Sequence, residues 1–142
     1  MDSTELSTSL RSVISALYKG LRRQMGSATQ YSMTELETVG HLNRNDSLLP
    51  SELASLTRIK TQSMSQILKK MEEQNIIART PSSDDKRKAF ISITPFGKKM
   101  VEKTRYERDE WLKDSIDNSL TKDEKKLIAS AIPALKKLAE YK

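Results

Sequence analysis

The sequence predicts a mainly helical protein that carries one small β-hairpin, and two observations lead to this prediction. Apolar residues recur at intervals of three and four along most of the 142 residues, which is the spacing of helices that bury one face. Two runs of β-branched and apolar residues, 76–80 and 89–93, break this spacing and are typical of a pair of strands. A chain of this length forms one domain or two closely associated lobes.

Two helices are expected in the first third of the chain. The first spans Thr4–Met25 and ends at Gly26, and its apolar stripe consists of Leu6, Leu10, Val13, Ile14, Leu17 and Leu21. Thr34 and Glu37 fit the capping-box pattern T-x-x-E, which predicts that the second helix begins near Met33. It ends around residues 43–46, where four polar residues follow one another.

Two further helices are expected before the first strand. Pro50 suits the first turn of a helix, where its missing N–H group is not needed. The helical spacing is interrupted at residues 57–60 and resumes in a fourth helix over residues 61–74, whose apolar residues fall within one narrow arc: Met64, Ile67, Leu68 and Met71. Asn75 follows, and asparagine tolerates the left-handed conformation that a helix end needs.

The chain after the hairpin is helical in pattern. Thr94 and Pro95 are typical of the cap and the first position of a helix, which continues to about Asp117. Thr121 and Glu124 form another capping box, so we expect a last helix that runs to the C-terminus.

The positive charge of the chain is concentrated in its middle. The formal net charge is +6, and the segment from Ser51 to Lys99 holds ten Lys or Arg against five Asp or Glu, a net of +5. A basic middle between nearly neutral ends favours a polyanionic partner for the middle. The alternative is an ordinary basic surface.

The composition excludes several kinds of chemistry. The chain has no cysteine and one histidine, which excludes disulfides, thiol chemistry, cysteine zinc sites and histidine-cluster metal sites, and we expect no cofactor. No apolar run is long enough to cross a bilayer and the N-terminus lacks a signal pattern, so a cytoplasmic protein without a membrane partner is expected. The single histidine, His41, is interpreted as a partly buried structural residue rather than part of an effector pocket.

The third and fourth helices, with the hairpin, form the pattern of a winged helix-turn-helix. This arrangement suits double-stranded DNA because an α-helix fits the major groove and short polar side chains can reach base edges. The candidate base-contacting residues are Gln62, Ser63, Ser65 and Gln66 on the polar face of the fourth helix. Lys69 and Lys70 suit phosphates, and Ser51 and Thr61 complete the candidate DNA-binding residues on the helices.

The turn of the hairpin, residues 82–88, holds five consecutive charged residues, Asp84 to Lys88. We interpret it as the tip of a wing in which Lys86, Arg87 and Lys88 contact DNA, because a narrow minor groove attracts an inserted arginine. Asp85 lies two residues before Arg87, so on an extended strand both side chains point the same way and the carboxylate can orient the guanidinium. The alternative is a solvated, charged loop.

These residues resemble the multiple-antibiotic-resistance regulator (MarR) family over nearly the whole chain. The most specific match is Asp85-Lys86-Arg87 followed by Ile93-Thr94-Pro95-Phe96-Gly97, where the family has D-x-R and then a strand that ends in L-T-x-x-G. The other matching residues are Leu53-Ala54, Ser65, Met71-Glu72 and Ile76-Ile77-Ala78-Arg79. Two positions depart from the family: Asn75 stands where glycine is common, and Gln66 stands where many members have arginine, which removes one charge from the face that enters the groove.

The resemblance implies a homodimer that binds a pseudo-palindromic DNA site, and repression is the usual mode of such regulators. It divides the chain into a helical dimerisation lobe, residues 1–30 and 95–142, and a winged helix-turn-helix lobe, residues 31–94. It also implies a ligand pocket between the lobes, for which a phenolic or aromatic small molecule is the candidate effector.

Two other classes of function compete with a DNA-binding regulator. A winged helix that contacts protein instead of DNA would predict an apolar or acidic outer face on the fourth helix, and here that face is polar within a basic region. An enzyme could use the carboxylate pairs Glu72-Glu73 or Asp84-Asp85, but adjacent residues point apart and no activated nucleophile accompanies them. We therefore predict a DNA-binding regulator and no enzyme.

Overall fold

A computed structural model describes residues 1–26 and 30–142 of the chain. This described part contains six helices and two strands, which confirms the predicted class of a mainly helical protein with a small hairpin. In chain order they are α1 (Ser3–Arg23), α2 (Met33–Arg44), α3 (Pro50–Thr57), α4 (Thr61–Glu73), β1 (Ile77–Pro81), β2 (Ala89–Ile93), α5 (Pro95–Ser119) and α6 (Lys122–Glu140). Residues 27–29 of the predicted 1–30 segment lie outside the described residues.

The helix α2 begins at Met33 as predicted, but its predicted cap, Thr34, is wrong by two residues. The Oγ of Ser32 accepts a hydrogen bond from the backbone N–H of Glu35 at 3.1 Å, so Ser32 is the N-cap. Thr34 already lies inside the helix, where its carbonyl accepts from the hydroxyl of Thr38. Both Ser32-x-x-Glu35 and Thr34-x-x-Glu37 fit the S/T-x-x-E pattern, and the pattern alone does not decide between two overlapping boxes.

The turn between α3 and α4 depends on a left-handed residue that the sequence did not indicate. Arg58 has φ 59°, and the next N–H, that of Ile59, donates to the carbonyl of Ala54 at 3.1 Å. This geometry closes the end of α3 and leaves three residues between α3 and α4. The hydroxyl of Thr57, which is buried, donates to the carbonyl of Leu53 at 2.7 Å.

Asn75 ends α4 in the left-handed conformation that was expected of it, with φ 60°. The N–H of Ile76 then donates to the carbonyl of Met71 at 2.9 Å. Ile76 thus belongs to the end of the helix, so the first strand begins at Ile77 and not at 76 as predicted.

The hairpin is antiparallel, with Ile77 opposite Ile93 and Thr80 opposite Phe90. A third short segment joins it, because Leu48 and Ile91 exchange two backbone hydrogen bonds of 2.9 and 2.8 Å. The segment before α3 therefore pairs with β2 of the hairpin, which its sequence did not indicate.

The core lies in the middle of the chain. The apolar side chains with no more than 1% exposure are those of Val39, Leu42, Leu53, Met64, Leu68, Met71, Ile76 and Ile91, from α2, α3, α4 and its C-terminal end, and β2. In contrast, none of the residues of α6 is buried, and within α1 only Gly20 is buried, where Trp111 of α5 packs against it. No helix in the described part of the chain is long and apolar enough to cross a bilayer.

The junction of the hairpin with α5 is closely packed. The N–H of Gly97 donates to the Oγ1 of Thr94 at 3.0 Å, and that hydroxyl donates to the carbonyl of Asn75 at 2.7 Å. A Cβ built on Gly97 would overlap the carbonyl oxygen of Ile76 and would lie 3.0 Å from side-chain atoms of Ile76 and Ile93. The glycine therefore allows α5 to pass over the end of α4.

We expect Gly97→Ala to lower the free energy of unfolding by about 1–3 kcal/mol, because the backbone of Ile76 cannot move aside without breaking its bond to α4. The matched control is Gly40→Ala in α2, where the new methyl group would meet only the Arg44 side chain at 3.5 Å. There the better helix propensity of alanine should stabilise by up to about 1 kcal/mol. Urea unfolding of both variants measures the difference, and equal midpoints would contradict the close approach at Gly97.

Candidate nucleic-acid interface

The fourth helix presents one polar face to solvent. Met64, Leu68 and Met71 are buried in the core, which fixes the rotation of α4 about its axis. Six of the predicted DNA-binding residues lie on the exposed side: Thr61, Gln62, Ser63, Ser65, Gln66 and Lys69. The hydroxyl of Ser65 donates to the carbonyl of Thr61 at 3.1 Å, so in this arrangement its oxygen can serve a partner only as an acceptor.

Lys70 is placed differently from its neighbour Lys69. Its ammonium donates to both carboxylate oxygens of Glu35 in α2, at 3.0 and 2.9 Å, and lies 5.3 Å from the centroid of the Tyr31 ring. The ammonium is thus turned toward α2, a placement that does not favour the phosphate contact predicted for Lys70. Sequence spacing could not reveal this contact, because its partners are 35 residues apart.

The tip of the wing is an ordered turn. The N–H of Lys88 donates to the carbonyl of Asp85, and the N–H of Arg87 donates to the Oδ1 of the same aspartate, both at 3.0 Å. The Nε of Arg87 lies 3.3 Å from that oxygen, so the pairing of Asp85 with Arg87 is present. Its cause differs from the predicted one, because the two residues share a turn and not an extended strand. The Arg87 side chain remains 91% exposed.

A groove joins the wing to the starts of α3 and α4. It has a volume of about 380 Å³, and its lining includes Ser51, Thr61, Arg79, Arg87 and Lys88. Three cationic side chains and two hydroxyls are the groups that bind phosphate oxygens in nucleic-acid complexes. The groove thus brings together four of the predicted residues and adds a fifth, Arg79.

Arg79 was quoted in the motif but not predicted as a site residue. It lies on β1 with its Nε 3.6 Å from the carboxylate of Glu72, and both side chains are partly exposed. Alternation along the strand would place Arg79 on the same face as the buried Ile77, so the sequence pattern did not indicate that Arg79 is exposed beside the wing. Lys86, the remaining cation of the wing tip, is exposed and does not line the groove.

A second cavity lies between α2 and α5. Its volume is about 350 Å³, and its lining consists of Met33, Leu36, Glu37, Gly40, Arg44, Val101, Thr104, Arg105 and Arg108. Three guanidinium groups against one carboxylate give it a positive character. His41 is partly buried beside it, with Nε2 3.7 Å from Glu37 and Nδ1 3.1 Å from Arg44, and does not line the cavity.

Comparisons with known proteins agree with this geometry. A sequence model of the MarR family matches residues 29–88. An uncharacterised HTH-type transcriptional regulator of Mycobacterium bovis is 25% identical over 125 residues, which cover 86% of this chain and 87% of that protein. The crystal structure of a putative transcriptional regulator of Pseudomonas aeruginosa is similar with a TM-score of 0.82 and 28% identity, over 98% of this chain and 97% of the other.

The fold is also similar to that of Streptococcus pneumoniae FabT, whose crystal structure was determined in complex with DNA. The TM-score is 0.78 at 18% identity, over 98% of each chain. At that identity the likeness shows a shared fold. The family match concerns regulators and not enzymes, in agreement with the prediction that this chain is no enzyme. Residues 29–88 thus match the MarR family of regulators, and the chain as a whole is similar to HTH-type transcriptional regulators.

Proposed function

We propose that this protein is a repressor that binds a pseudo-palindromic operator in double-stranded DNA as a homodimer. The observation that carries the proposal is the groove in which Arg79, Arg87 and Lys88 of the wing meet Ser51 and Thr61. Cations and hydroxyls in one groove, next to an exposed polar helix face, match what a duplex offers: phosphates beside a major groove. Such a partner fits the cytoplasmic location expected from the sequence.

In the proposed complex α4 enters the major groove. Gln62 and Gln66 are the residues for base reading, because a glutamine can bond to both N6 and N7 of adenine. The groove between the wing and the starts of α3 and α4 then receives the phosphates at the edge of the major groove. Arg87, exposed and held at its backbone by Asp85, then reaches toward the adjacent minor groove.

The helices outside the core support the proposed homodimer. Exposed apolar side chains form stripes on α1 and α6: Leu6, Val13, Ile14, Leu17 and Tyr18, and Leu127, Ile128, Ile132, Leu135 and Leu138. An amphipathic helix of 19 residues with no buried side chain is not stable in water by propensity alone, so it needs a surface to cover its apolar stripe. A second copy supplies a matching stripe by symmetry, and residues 1–30 and 95–142 are then the dimerisation lobe around the DNA-binding lobe, residues 31–94.

The cavity between α2 and α5 supports a proposed effector site. It lies where the two proposed lobes meet, and its arginines Arg44, Arg105 and Arg108 favour an anion on an apolar floor that includes Leu36 and Val101. A phenolic or aromatic compound with a carboxylate fits this description. Its binding would shift the angle between α2 and α5 and so move the DNA-binding lobe.

The DNA proposal predicts different effects for Gln66→Ala and Arg87→Ala. On a duplex selected from random sequence, Gln66→Ala should cost about 1–3 kcal/mol of binding free energy, with little change on random DNA, because it removes a base contact. Arg87→Ala should weaken both and flatten the slope of log K against log salt by about one unit per subunit, because it removes a counterion-releasing contact. Fluorescence anisotropy across salt concentrations measures both, and each variant controls for the other.

Two results would contradict the DNA proposal. Full affinity and an unchanged salt slope in Arg87→Ala would mean that the wing stays clear of DNA. Failure of the wild-type protein to bind any selected duplex would favour the alternative function, a winged helix that contacts protein.

The dimer proposal predicts a sedimenting mass of twice 16.1 kDa at low micromolar concentration. Ile132→Glu should yield a monomer, because it places a carboxylate in the apolar stripe of α6. Ser130→Glu introduces the same charge on the opposite face of the helix and should remain dimeric. A well-folded wild-type monomer at that concentration would rule the proposal out.

The effector proposal predicts that 4-hydroxybenzoate raises the melting temperature and weakens DNA binding, whereas uncharged phenol does neither at the same concentration. A ligand at about 100 times its Kd should stabilise the folded state by about 2.7 kcal/mol. Arg105→Gln should reduce the shift, since Arg105 lines the cavity. Identical responses to the anion and to phenol would contradict a site selected by the arginines.

A further inference from the structure

We propose that Glu35, Lys70 and Tyr31 form a clamp that positions the recognition helix α4 relative to α1, and that this clamp sets how sharply the dimer selects the spacing between its two DNA half-sites. The inference rests on the proposed function, since it requires a dimer that binds two half-sites. It assigns Lys70 a role in positioning and Glu35 a role that its sequence pattern did not suggest.

The first part of the clamp joins α4 to α2. Lys70 donates to both oxygens of Glu35 at 3.0 and 2.9 Å, and the Glu35 side chain is only 13% exposed while that of Lys70 is 40% exposed. An ion pair in which one partner is largely withdrawn from water is stronger and less screened than a fully exposed pair. Glu35 is itself fixed, because its N–H donates to the capping Ser32.

The second part joins α4 to α1. The Lys70 ammonium lies 5.3 Å from the centroid of the Tyr31 ring, a distance at which a cation is attracted to an aromatic face. Tyr31 is buried, and its carbonyl accepts a hydrogen bond of 2.6 Å from the Nη2 of Arg22, near the end of α1. Tyr31 thus contacts the recognition helix with its ring and the first helix with its backbone.

Apolar packing between the proposed lobes does not by itself fix their relative orientation, so the polar contacts of the clamp matter for it. The contact of α2 with α5 is interrupted by the cavity of about 350 Å³, so apolar packing alone leaves room for the DNA-binding lobe to tilt. Two recognition helices in a dimer must match half-sites about 34–36 Å apart, and one added base pair moves a half-site by about 3.4 Å and about a tenth of a turn. A dimer rejects the wrong spacing only if each α4 is held against tilts of that size.

The rival interpretation of Lys70 is a phosphate contact that Glu35 partly neutralises. The two interpretations predict opposite effects for Glu35→Gln. If Lys70 binds phosphate, the substitution removes a competing carboxylate and should strengthen binding and steepen the salt slope. If the clamp is correct, the substitution loosens α4. It should then leave the salt slope unchanged and broaden the range of half-site spacings that the dimer tolerates.

The experiment uses the full-length protein and a duplex selected from random sequence by the wild type, together with duplexes in which the centre is lengthened or shortened by one base pair. We expect the wild type to prefer the selected spacing by at least about tenfold, or about 1.4 kcal/mol. Glu35→Gln and Lys70→Met should both reduce this preference to less than about threefold, which is less than about 0.7 kcal/mol. The exchanged pair Glu35→Lys with Lys70→Glu should restore much of it.

Lys69→Met is the matched control, since it removes the same charge from the neighbouring, exposed position. It should weaken binding to all three duplexes equally and flatten the salt slope, without a change in spacing preference. Urea unfolding of every variant ensures that only fully folded proteins are compared. If Lys70→Met does not fold, Glu35→Gln, which keeps a hydrogen-bonding group of equal size, carries the test of the clamp.

Three outcomes separate the possibilities. Broadened spacing in both clamp variants, with the wild-type salt slope, supports the clamp. Stronger binding and a steeper slope in Glu35→Gln, or identical behaviour of Lys70→Met and Lys69→Met, overturns it in favour of a phosphate contact. A wild type that binds no selected duplex, or binds as a monomer, contradicts the proposed function itself, before any variant is compared.

Discussion

The burial of Met64, Leu68 and Met71 is the constraint on which the rest of the site depends. These three side chains have no more than 1% exposure and together fix α4 in one rotation about its axis. Because successive residues of a helix turn by about 100°, this single orientation determines which residues face outward along the whole element. This orientation exposes Gln62, Gln66 and Lys69 on one face. It also turns Lys70 toward α2.

The basic residues of the middle segment are not equivalent, although they contribute equally to its net charge. Arg87 lies 3.3 Å from the carboxylate of Asp85, and Arg79 lies 3.6 Å from the carboxylate of Glu72. Exposed ion pairs of this kind contribute little to stability, so either arginine can exchange its carboxylate for another anion. Lys70 is held by two short bonds to a carboxylate that is largely withdrawn from water. The charges of the wing are therefore exposed beside weakly held partners, whereas that of Lys70 is paired with Glu35.

Local patterns predicted most of the helices and strands, because each depends on residues close in sequence. The arc of α4, the left-handed Asn75, Thr94 as cap and the capping box of Thr121 with Glu124 are of this kind, and all are present. The cap of α2 was wrong, since two overlapping boxes satisfied one rule.

Features that depend on distant residues could not be predicted in this way. The pair of Lys70 with Glu35, the bridge of Leu48 to Ile91 and the groove that includes Arg79 each join segments whose proximity only the packed fold decides. The same limit applies to the candidate site. Its helix face followed from periodicity, while the partners of its individual cations did not.

The exposed apolar stripe of α6 makes the activity of this protein depend on its concentration. Under the proposed assembly the last helix is ordered only when a second copy covers it, so folding of the C-terminal segment and association are one equilibrium and depend on protein concentration. Below the dissociation constant the cell would hold monomers with a loosened, protease-accessible terminus and one weak DNA contact each. The regulator would thus act above a threshold of copy number, and its clearance would be fastest when it is scarce.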